Sequence, residues 1–373
     1  MRISVMTLAG SKSVCLEVAG DWTAQDVRRR IPGLKGSRRR AARLLHRGEV
    51  LSSGTSLATA GVADGAVLHI LFDSQGEVLT ASADGTAKLW SVQSGECTLT
   101  FDVGGPIPFS AILSPDGESV LIAAESTAML WHVDPCELFM ALEGHMGTIW
   151  SMAFSPDGGF ALTGSHDCTA KMWEMDLGEC VMTFIGHTNQ IRSVCFSPDG
   201  SQVLSAADDK TARLWNAASG ACLRLFDGHD GGINAAAFSV DGARVLTASD
   251  DFTAKLWSPD SGECLRTFEG HTNKLFCAAF SPSGDMMLTG AYDNTAKLWK
   301  EESKSCVRTL QGHRACVRSA VFLPNAEQVL TGSEDGTAKL WGVEACECIR
   351  TFEGHFGEIF SVAFASPTAI DVR

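Results

Sequence analysis

Residues 186–226 read GHTNQIRSVCFSPDGSQVLSAADDKTARLWNAASGACLRLF, and this stretch decides the fold because its parts return along the chain. The Ser-Pro-Asp-Gly tetrapeptide at 197–200 predicts a hairpin turn, since proline fixes φ at the first central position and glycine tolerates positive φ at the last. The stretch contains four apolar runs of strand length, which are Ile191 to Phe196, Val203 to Ala206, Thr211 to Trp215 and Cys222 to Phe226. Each unit therefore predicts four short β-strands and no helix.

The unit is repeated at a nearly constant period. Seven of the nine tryptophans are separated by steps of 41 and then 42 residues, at Trp90, Trp131, Trp173, Trp215, Trp257, Trp299 and Trp341. A fixed period of this length indicates a repeat architecture, in which each unit buries its apolar faces against its neighbours. The body of the chain is therefore predicted to be mainly β.

Gly-His, Asp and Trp recur in register over about residues 73–364, and at these positions the chain resembles the WD-repeat family. Members of that family fold as β-propellers of four-stranded blades. The resemblance implies a seven-bladed propeller over residues 73–373. In one respect the chain departs from the family, because the residue after each tryptophan is never Asp. Any partner that reads that Asp is in doubt.

Counting strands predicts how the propeller closes. Only two strands are secure before Trp90, so the first blade lacks an innermost strand. Residues 359–364 supply one more strand after the last Gly-His pair, and placing it in the first blade covers edges that an open ring would expose. Residues 66–72 fit the same position. We expect the C-terminal strand to fill it, because residues 66–72 have a place in the N-terminal domain.

Residues 1–72 resemble ubiquitin along their whole length, which implies a small α+β domain of the ubiquitin-like (β-grasp) type. Met1 to Gly10 match its first strand and turn, and Leu68 to Leu71 match its last strand. Between them, Thr23 is a plausible N-cap of a helix that ends before Pro32. The last strand continues into the propeller, so the domain is not expected to be a released modifier.

The ubiquitin resemblance also implies an interaction patch. Leu8, Leu45, His69 and Leu71 occupy the positions of the apolar recognition patch of ubiquitin. This patch could dock on ubiquitin receptors or the proteasome, or it could pack against the protein's own propeller, since contacts between domains of one chain are common. The residues alone leave both possibilities open.

Charge and composition exclude several classes of function. The net charge of -14 divides into +6 for residues 1–72 and -20 for residues 73–373, and an acidic body repels phosphate, so no nucleic-acid partner is expected for the propeller. The apolar runs are too short to span a bilayer, and residues 1–5 alternate like a strand rather than forming a signal peptide. We expect a soluble protein of the cytoplasm, the nucleus or both, with no membrane partner. Six cysteines lie seven residues after a repeat tryptophan and are expected to be small buried residues, at positions 97, 180, 222, 264, 306 and 348.

His145, Ser165 and Asp167 resemble a hydrolase triad, but the same set returns in four other units. A catalytic site occurs once, whereas a structural device recurs in every blade. By resemblance to WD repeats, these groups and Trp173 form a buried hydrogen-bonded network. The second blade has no Gly-His and carries Glu125 in place of Asp, so it is expected to be the least rigid. We expect no enzyme activity, metal or cofactor.

The candidate partner-binding residues stand at positions that align between repeats but hold different residue types. Five residues after each Gly-His histidine, or in register with that position, stand Phe109, Trp150, Arg192, Asn234, Phe276, Arg318 and Phe360. Just before the turn Asp stand His166, Asp208, Asp250, Tyr292 and Glu334. By family resemblance both sets surround the channel mouth on the top face. Aromatic residues and arginine dominate binding hot spots, so the sets predict a peptide ligand with a basic residue inserted among aromatic rings.

These inferences predict a non-enzymatic scaffold or adaptor whose partners are other proteins. The propeller would bind a partner peptide, and the ubiquitin-like domain would link it to the ubiquitin–proteasome system. The alternative is a complex-assembly factor, because ribosome-biogenesis proteins that resemble Notchless also join a ubiquitin-like domain to WD repeats.

Overall fold

A computed structural model describes residues 1–7, 13–19, 21–31, 42–47, 49–51, 54–72, 76–303 and 305–365. The chain divides into two compact units, the first mainly Met1–Glu77 and the second Val78–Pro115 with Ser119–Phe364. The described residues are mainly β-strands with one α-helix of seven residues. Among them, no helix has the length and apolar character needed to cross a membrane.

The first unit is one sheet with a helix packed beside it. Its elements are β1 (Arg2–Thr7), β2 (Ser13–Glu17), α1 (Ala24–Arg30), β3 (Ala42–His46), β4 (Glu49–Val50) and β5 (Val67–Phe72). The strands lie in the order β2-β1-β5-β3-β4, with β1 and β5 parallel and the other described pairs antiparallel. Val27 of α1 is fully buried with Leu44, Leu57 and Leu68, so the helix and the sheet share one apolar core.

Helix α1 begins as the sequence predicts. The Thr23 hydroxyl accepts a hydrogen bond from the Asp26 amide at 3.3 Å, and the Asp26 carboxylate accepts one from the Thr23 amide at 2.8 Å. This reciprocal capping box satisfies two of the amides that a helix N-terminus leaves free, and it confirms Thr23 as the N-cap. The helix ends at Arg30, and Ile31 is extended. Pro32 lies outside the described residues.

The second unit contains seven four-stranded sheets. In chain order its strands are β6 (Glu77–Ser82), β7 (Thr86–Ser91), β8 (Cys97–Asp102), β9 (Pro108–Leu113), β10 (Ser119–Ala124), β11 (Thr127–His132), β12 (Glu137–Leu142), β13 (Ile149–Phe154), β14 (Phe160–Ser165), β15 (Thr169–Glu174), β16 (Cys180–Ile185), β17 (Ile191–Phe196), β18 (Gln202–Ala207), β19 (Thr211–Asn216), β20 (Cys222–Asp227), β21 (Ile233–Phe238), β22 (Val245–Ser249), β23 (Ala254–Trp257), β24 (Cys264–Phe268), β25 (Leu275–Phe280), β26 (Met287–Ala291), β27 (Thr295–Trp299), β28 (Arg308–Gln311), β29 (Val317–Phe322), β30 (Gln328–Ser333), β31 (Ala338–Gly342), β32 (Cys348–Phe352) and β33 (Ile359–Ala365). The second to seventh sheets are each formed by four consecutive antiparallel strands, from β9–β12 to β29–β32.

The first sheet has the order β33-β6-β7-β8, so the C-terminal strand lies beside β6. Strand β5, the other segment that fits this position by sequence, pairs with β1 and β3 in the first unit. The Val362 amide donates to the Ser319 hydroxyl at 3.1 Å, and the Ser361 hydroxyl lies 3.4 Å from the Ala111 carbonyl. Strand β33 therefore contacts the inner strands of both the seventh and the second sheets.

Aromatic packing fills the space between neighbouring sheets. Phe184 lies in the edge strand of the third sheet and packs on Trp215 of the next sheet, with ring centroids 5.7 Å apart. Phe352 packs on Trp90 with ring centroids 6.1 Å apart. Such tilted ring pairs add to the large apolar area that each aromatic side chain buries. The pair between Phe352 and Trp90 joins the seventh sheet to the first.

The expectation that the cysteines after each tryptophan are buried was wrong. Those at positions 97, 180, 222, 264 and 348 are exposed, and Cys306 is only half-buried. The reason is their place at the start of the fourth strand, or two residues before it for Cys306, because the fourth strand is the free edge of each sheet. Only the phenylalanine or leucine four residues further on reaches the core, as Phe101 and Phe184 do.

Candidate functional site

A chain of hydrogen bonds crosses the third sheet from its loop to its core. His145 Nδ1 lies 2.7 Å from a carboxylate oxygen of Asp167, and His145 Nε2 lies 2.7 Å from the Thr163 hydroxyl. The Trp173 indole N–H donates to the same hydroxyl at 2.9 Å. These groups satisfy one another inside the sheet, which is what buried polar groups require.

Thr163, and not the predicted Ser165, is the hydroxyl that links His145 to Trp173. Ser165 donates instead to the Gly147 carbonyl at 2.8 Å and accepts a hydrogen bond from the Asp167 amide at 3.2 Å. Positions 163 and 165 point to the same face of β14. In the register of β14 and β15, however, Thr163 pairs with Lys171, two residues from Trp173, and the indole reaches no further. The fifth and seventh sheets likewise use Thr247 and Thr331 rather than the serines two residues later.

The ionisation of the pair fits a structural role. Burial opposes ionisation of Asp167, but hydrogen bonds from Thr169, the Met146 amide and His145 outweigh it and lower the pKa of Asp167 to about 2. Burial lowers the pKa of His145. A neutral imidazole can then donate from Nδ1 to Asp167 and accept at Nε2 from Thr163, so every group has a partner and no hydroxyl is left for a substrate.

The second sheet lacks this network. Leu121 stands where the other sheets place the hydroxyl, ten residues before the tryptophan, and the turn after β10 consists of Glu125 and Ser126 alone. In each other sheet three residues separate the positions equivalent to Ala124 and Thr127, as 166–168 do between Ser165 and Thr169, and the missing residue accounts for the step of 41 between Trp90 and Trp131. The indole nitrogen of Trp131 is buried without a hydrogen-bond partner among the described residues.

The predicted partner-binding residues of the inner strands occupy the same position in each of the seven sheets and are here called the ring residues. Each is the second residue of its inner strand and is partly buried, and the set is Phe109, Trp150, Arg192, Asn234, Phe276, Arg318 and Phe360. The register of the inner strand shifts at this residue in the second to seventh sheets, for example between Ile149 and Ser151. A bulge leaves its residue without a cross-strand partner and redirects its side chain. The bulges therefore release these side chains from the strand ladder.

Three ring residues form an aromatic arc. The rings of Phe109 and Trp150 are 4.7 Å apart, and those of Phe109 and Phe360 are 5.3 Å apart. Trp150 belongs to the third sheet, Phe109 to the second and Phe360 to the first. The arc is the longest continuous apolar part of the ring.

Arginines bound the arc on both sides. Arg192 lies 4.6 Å from the Trp150 ring and makes two hydrogen bonds of 3.1 Å to Asp208. Arg318 lies 5.9 Å from the Phe360 ring and 4.1 Å from the Phe276 ring, and it pairs with Glu334, its Nε lying 2.6 Å from the carboxylate. Each arginine thus combines an ion pair with cation–π contact inside the protein.

The remaining acid of the predicted set is paired as well. Asp250 accepts hydrogen bonds from Asn234 at 2.7 Å and from Lys274 at 2.6 Å. Tyr292 is half-exposed with its ring 6.3 Å from that of Phe276, and the His166 amide donates to the Thr148 carbonyl. The acids that the sequence assigned to a basic residue of a partner therefore already bind cations or amides of this chain.

The predicted ubiquitin-like patch is described only in part. Leu45 lies in β3 and is partly buried, and in the register of β3 and β5 it stands opposite His69. Leu71 stands opposite Arg43 in the same pair of strands. Leu8 lies outside the described residues.

Sequence reasoning missed three exposed apolar residues on the loops that lead to the ring. Met146 and Phe356 are 95% and 99% exposed, and Ile107 is 39% exposed. Met146 and Phe356 directly follow the histidine of Gly-His, a position where other units have threonine, aspartate or arginine. That contrast between repeats was the available signal.

Comparison with known families supports the class of protein. Residues 190–370 match the IFT122 first beta-propeller, and residues 52–91 and 136–174 match the WD domain, G-beta repeat. With the repeated four-stranded antiparallel sheets, these matches support a WD-repeat propeller, a fold that generally mediates protein–protein interaction and is typically not enzymatic. No curated protein matches the chain significantly.

The match over residues 52–91 includes β5, so this strand resembles the inner strand of a WD repeat although it lies in the first unit.

Among the described residues, no three His, Cys, Asp or Glu side chains are grouped as a metal site would need.

Proposed function

We propose that the protein is a non-enzymatic interaction scaffold in which seven blades form a propeller closed by β33 and the ring face binds a partner peptide. The single observation that carries this proposal is the aromatic arc of Phe109, Trp150 and Phe360. Apolar rings gathered at a surface indicate a recognition site more often than isolated ones do. The bulges support it further, because in the second to seventh sheets they free the side chain of one ring residue from the strand ladder.

The N-terminal unit is proposed to be ubiquitin-like and to link the propeller to the ubiquitin–proteasome system. Its strand order β2-β1-β5-β3-β4, with a parallel central pair and a helix on one face, supports this assignment. The opposing reading, in which the patch around Leu45 is reserved for the protein's own propeller, predicts no binding to ubiquitin receptors. A role in assembling larger complexes, as in proteins that resemble Notchless, is the second candidate, favoured by the same pairing of domains.

Crosslinking mass spectrometry in cells tests the propeller. We expect crosslinks to partner proteins to concentrate near the ring residues and to be lost in Trp150→Ala, because this change removes the largest ring of the arc. Partners that crosslink equally to Trp150→Ala would contradict a binding role for the face. Co-sedimentation with pre-ribosomes would favour the assembly factor.

The N-terminal unit is tested separately with the full chain. Purified ubiquitin-receptor domains should bind the wild-type protein and should lose binding to Leu45→Arg. Ala58→Arg, which places the same charge at an exposed turn of the unit, is the matched control. Equal binding by both variants would remove the proposed link to the ubiquitin system.

A further inference from the structure

The second sheet differs from the others at the edge that borders the aromatic arc. Its two-residue turn brings Glu125 into the left-handed region with φ 52°, and no residue of the turn corresponds to the aspartate that pairs with histidine elsewhere. The other sheets fasten this turn to the preceding loop through a pair such as His145 with Asp167. The turn and loop of the second sheet lack that pair.

A pocket occupies this place. It has a volume of about 420 Å³ and is lined by Ile107, Phe109, Glu125, Ser126, Gly147 and Thr148. Pockets that bind small-molecule ligands commonly have volumes of about 300–1,000 Å³. Phe109 belongs to both the pocket and the aromatic arc, so the pocket continues the ring face.

The surroundings of the pocket are apolar and exposed. Ile107 forms part of its wall, and Met146, which is almost fully exposed, directly precedes the lining residue Gly147. Phe356, also almost fully exposed, lies four residues before Phe360 of the arc. Exposed apolar side chains beside a pocket indicate an interaction site more strongly than isolated ones do.

The charge of the pocket differs from that of the rest of the face. Asp208, Asp250 and Glu334 are paired with Arg192, Lys274 and Arg318. Glu125 is exposed, and within the part of the chain that the structure describes its carboxylate has no partner. It is the one charged residue of the pocket lining, so a cation brought by a ligand would be attracted to it.

We propose that this pocket, formed by the shortened turn of the second sheet, selects the partner: it receives an aromatic or long aliphatic side chain of a peptide while an adjacent lysine or arginine pairs with Glu125. This inference rests on the proposed function and specifies where on the face the peptide binds. The basic residue of the partner is therefore expected to bind Glu125 rather than the acids of the other sheets, which are already paired. Cation–π positions over Trp150 and Phe276 are already filled by arginines of this chain.

Selection of random short peptides displayed on phage, with the full chain as bait, tests the proposal. Peptides that bind should share an aromatic residue or leucine next to a lysine or arginine. Their affinity for Glu125→Lys should fall by about tenfold or more, because like charges placed together at an interface are strongly unfavourable. Glu137→Lys makes the same charge change on β12 of the same sheet and should bind like the wild type.

A second variant, Ile107→Asp, tests the apolar wall and should weaken the same peptides, with thermal melting used to verify that each variant is folded. If peptides lose affinity for Trp150→Ala but bind Glu125→Lys and Ile107→Asp normally, the pocket is not the selecting site, while the proposed function stands. If the wild type selects no peptide, or selects peptides that tolerate Trp150→Ala as well, both proposals are overturned.

Discussion

Thr163 joins three side chains through one hydroxyl. It accepts from the Trp173 indole and lies within hydrogen-bond distance of His145, which in turn contacts Asp167. In the fourth sheet Ser205 occupies the same position with distances of 2.8 Å to both His187 and Trp215. The network therefore needs a hydroxyl at this position and does not need the methyl group of threonine.

We predict that Thr163→Val destabilises the protein while Thr163→Ser changes it little. Valine has the shape of threonine but leaves the indole N–H and the imidazole without a partner, at a cost of about 1–3 kcal/mol for each buried group. Chemical denaturation of the two variants measures the difference. Equal free energies of unfolding for the two variants would contradict the role of the hydroxyl.

The pKa shifts predict that stability falls with acid in two stages. Burial lowers the pKa of His145 and His355, so the unfolded chain takes up protons first, and their contribution declines as pH falls below about 6.5. The contribution of Asp167, whose pKa is held at about 2, is present above about pH 4 and is lost as pH falls toward about 2. Denaturation curves recorded from about pH 7 to about pH 2 measure the free energy of unfolding at each pH. His145→Gln should flatten part of the first stage, and a constant free energy between about pH 7 and about pH 5 would disagree with it.

At the scale of elements, arginines on the outer strands tie neighbouring sheets together. Arg224 donates to the Asp260 carbonyl in the next sheet at 2.7 and 2.9 Å, and Arg350 donates to the Gln93 and Ser94 carbonyls at 2.9 Å each. The equivalent positions in the second and third sheets are Met140 and Met182. Arg350 is the member that links the seventh sheet to the first.

We predict that Arg350→Met lowers the stability by about 1–2 kcal/mol, because two hydrogen bonds from a charged group are lost while the side-chain length is kept. Arg224→Met is the matched control and removes the same type of contact between two sheets formed by consecutive chain. We expect the larger fall in Tm for Arg350→Met, since the sheets it joins contain segments far apart in sequence and their contact opposes a larger loop-closure entropy. Equal Tm values would show that closure adds nothing to this contact.

At the scale of the whole molecule, the first sheet depends on both ends of the second unit. Strand β33 covers β6 and bonds to Ser319 and to the Ala111 carbonyl, so three sheets lose partners if it is removed. Adjacent sheets also share apolar cores, one of which includes Val78, Trp90, Leu340 and Val362. Repeat folds derive much of their stability from such contacts between neighbours.

A chain that ends at Glu353 should lose its cooperative thermal transition, because the edge of β6 and the core around Val362 become exposed. A chain that ends at Ala365 keeps β33 and is the matched control, for which we expect the wild-type transition. Calorimetry compares the two. An unchanged thermogram for the shorter chain would refute closure by the C-terminal strand.

Much of the fold follows from the sequence because its causes are local. Strand positions follow from the alternation of apolar residues and from turn chemistry, so the predicted strand at residues 191–196 has the same bounds in the structure. The helix start follows from Thr23 and Asp26, which satisfy amides within one turn. The ring positions could be aligned by counting from each histidine, although the bulges that free them could not be seen.

Only the tertiary structure determined the contacts between residues that are distant in sequence. Ser165 and Thr163 lie on the same face of one strand, and only the register with the neighbouring strand brings Thr163 within reach of Trp173. Two segments fit beside β6, and pairing of β5 in the other sheet leaves that position to β33. From the sequence, Asp208 was predicted to bind a partner, but in the fold it pairs with Arg192. Local patterns determine the elements, whereas hydrogen bonds and ion pairs between distant residues depend on distances of a few tenths of an ångström that only the assembled sheets define.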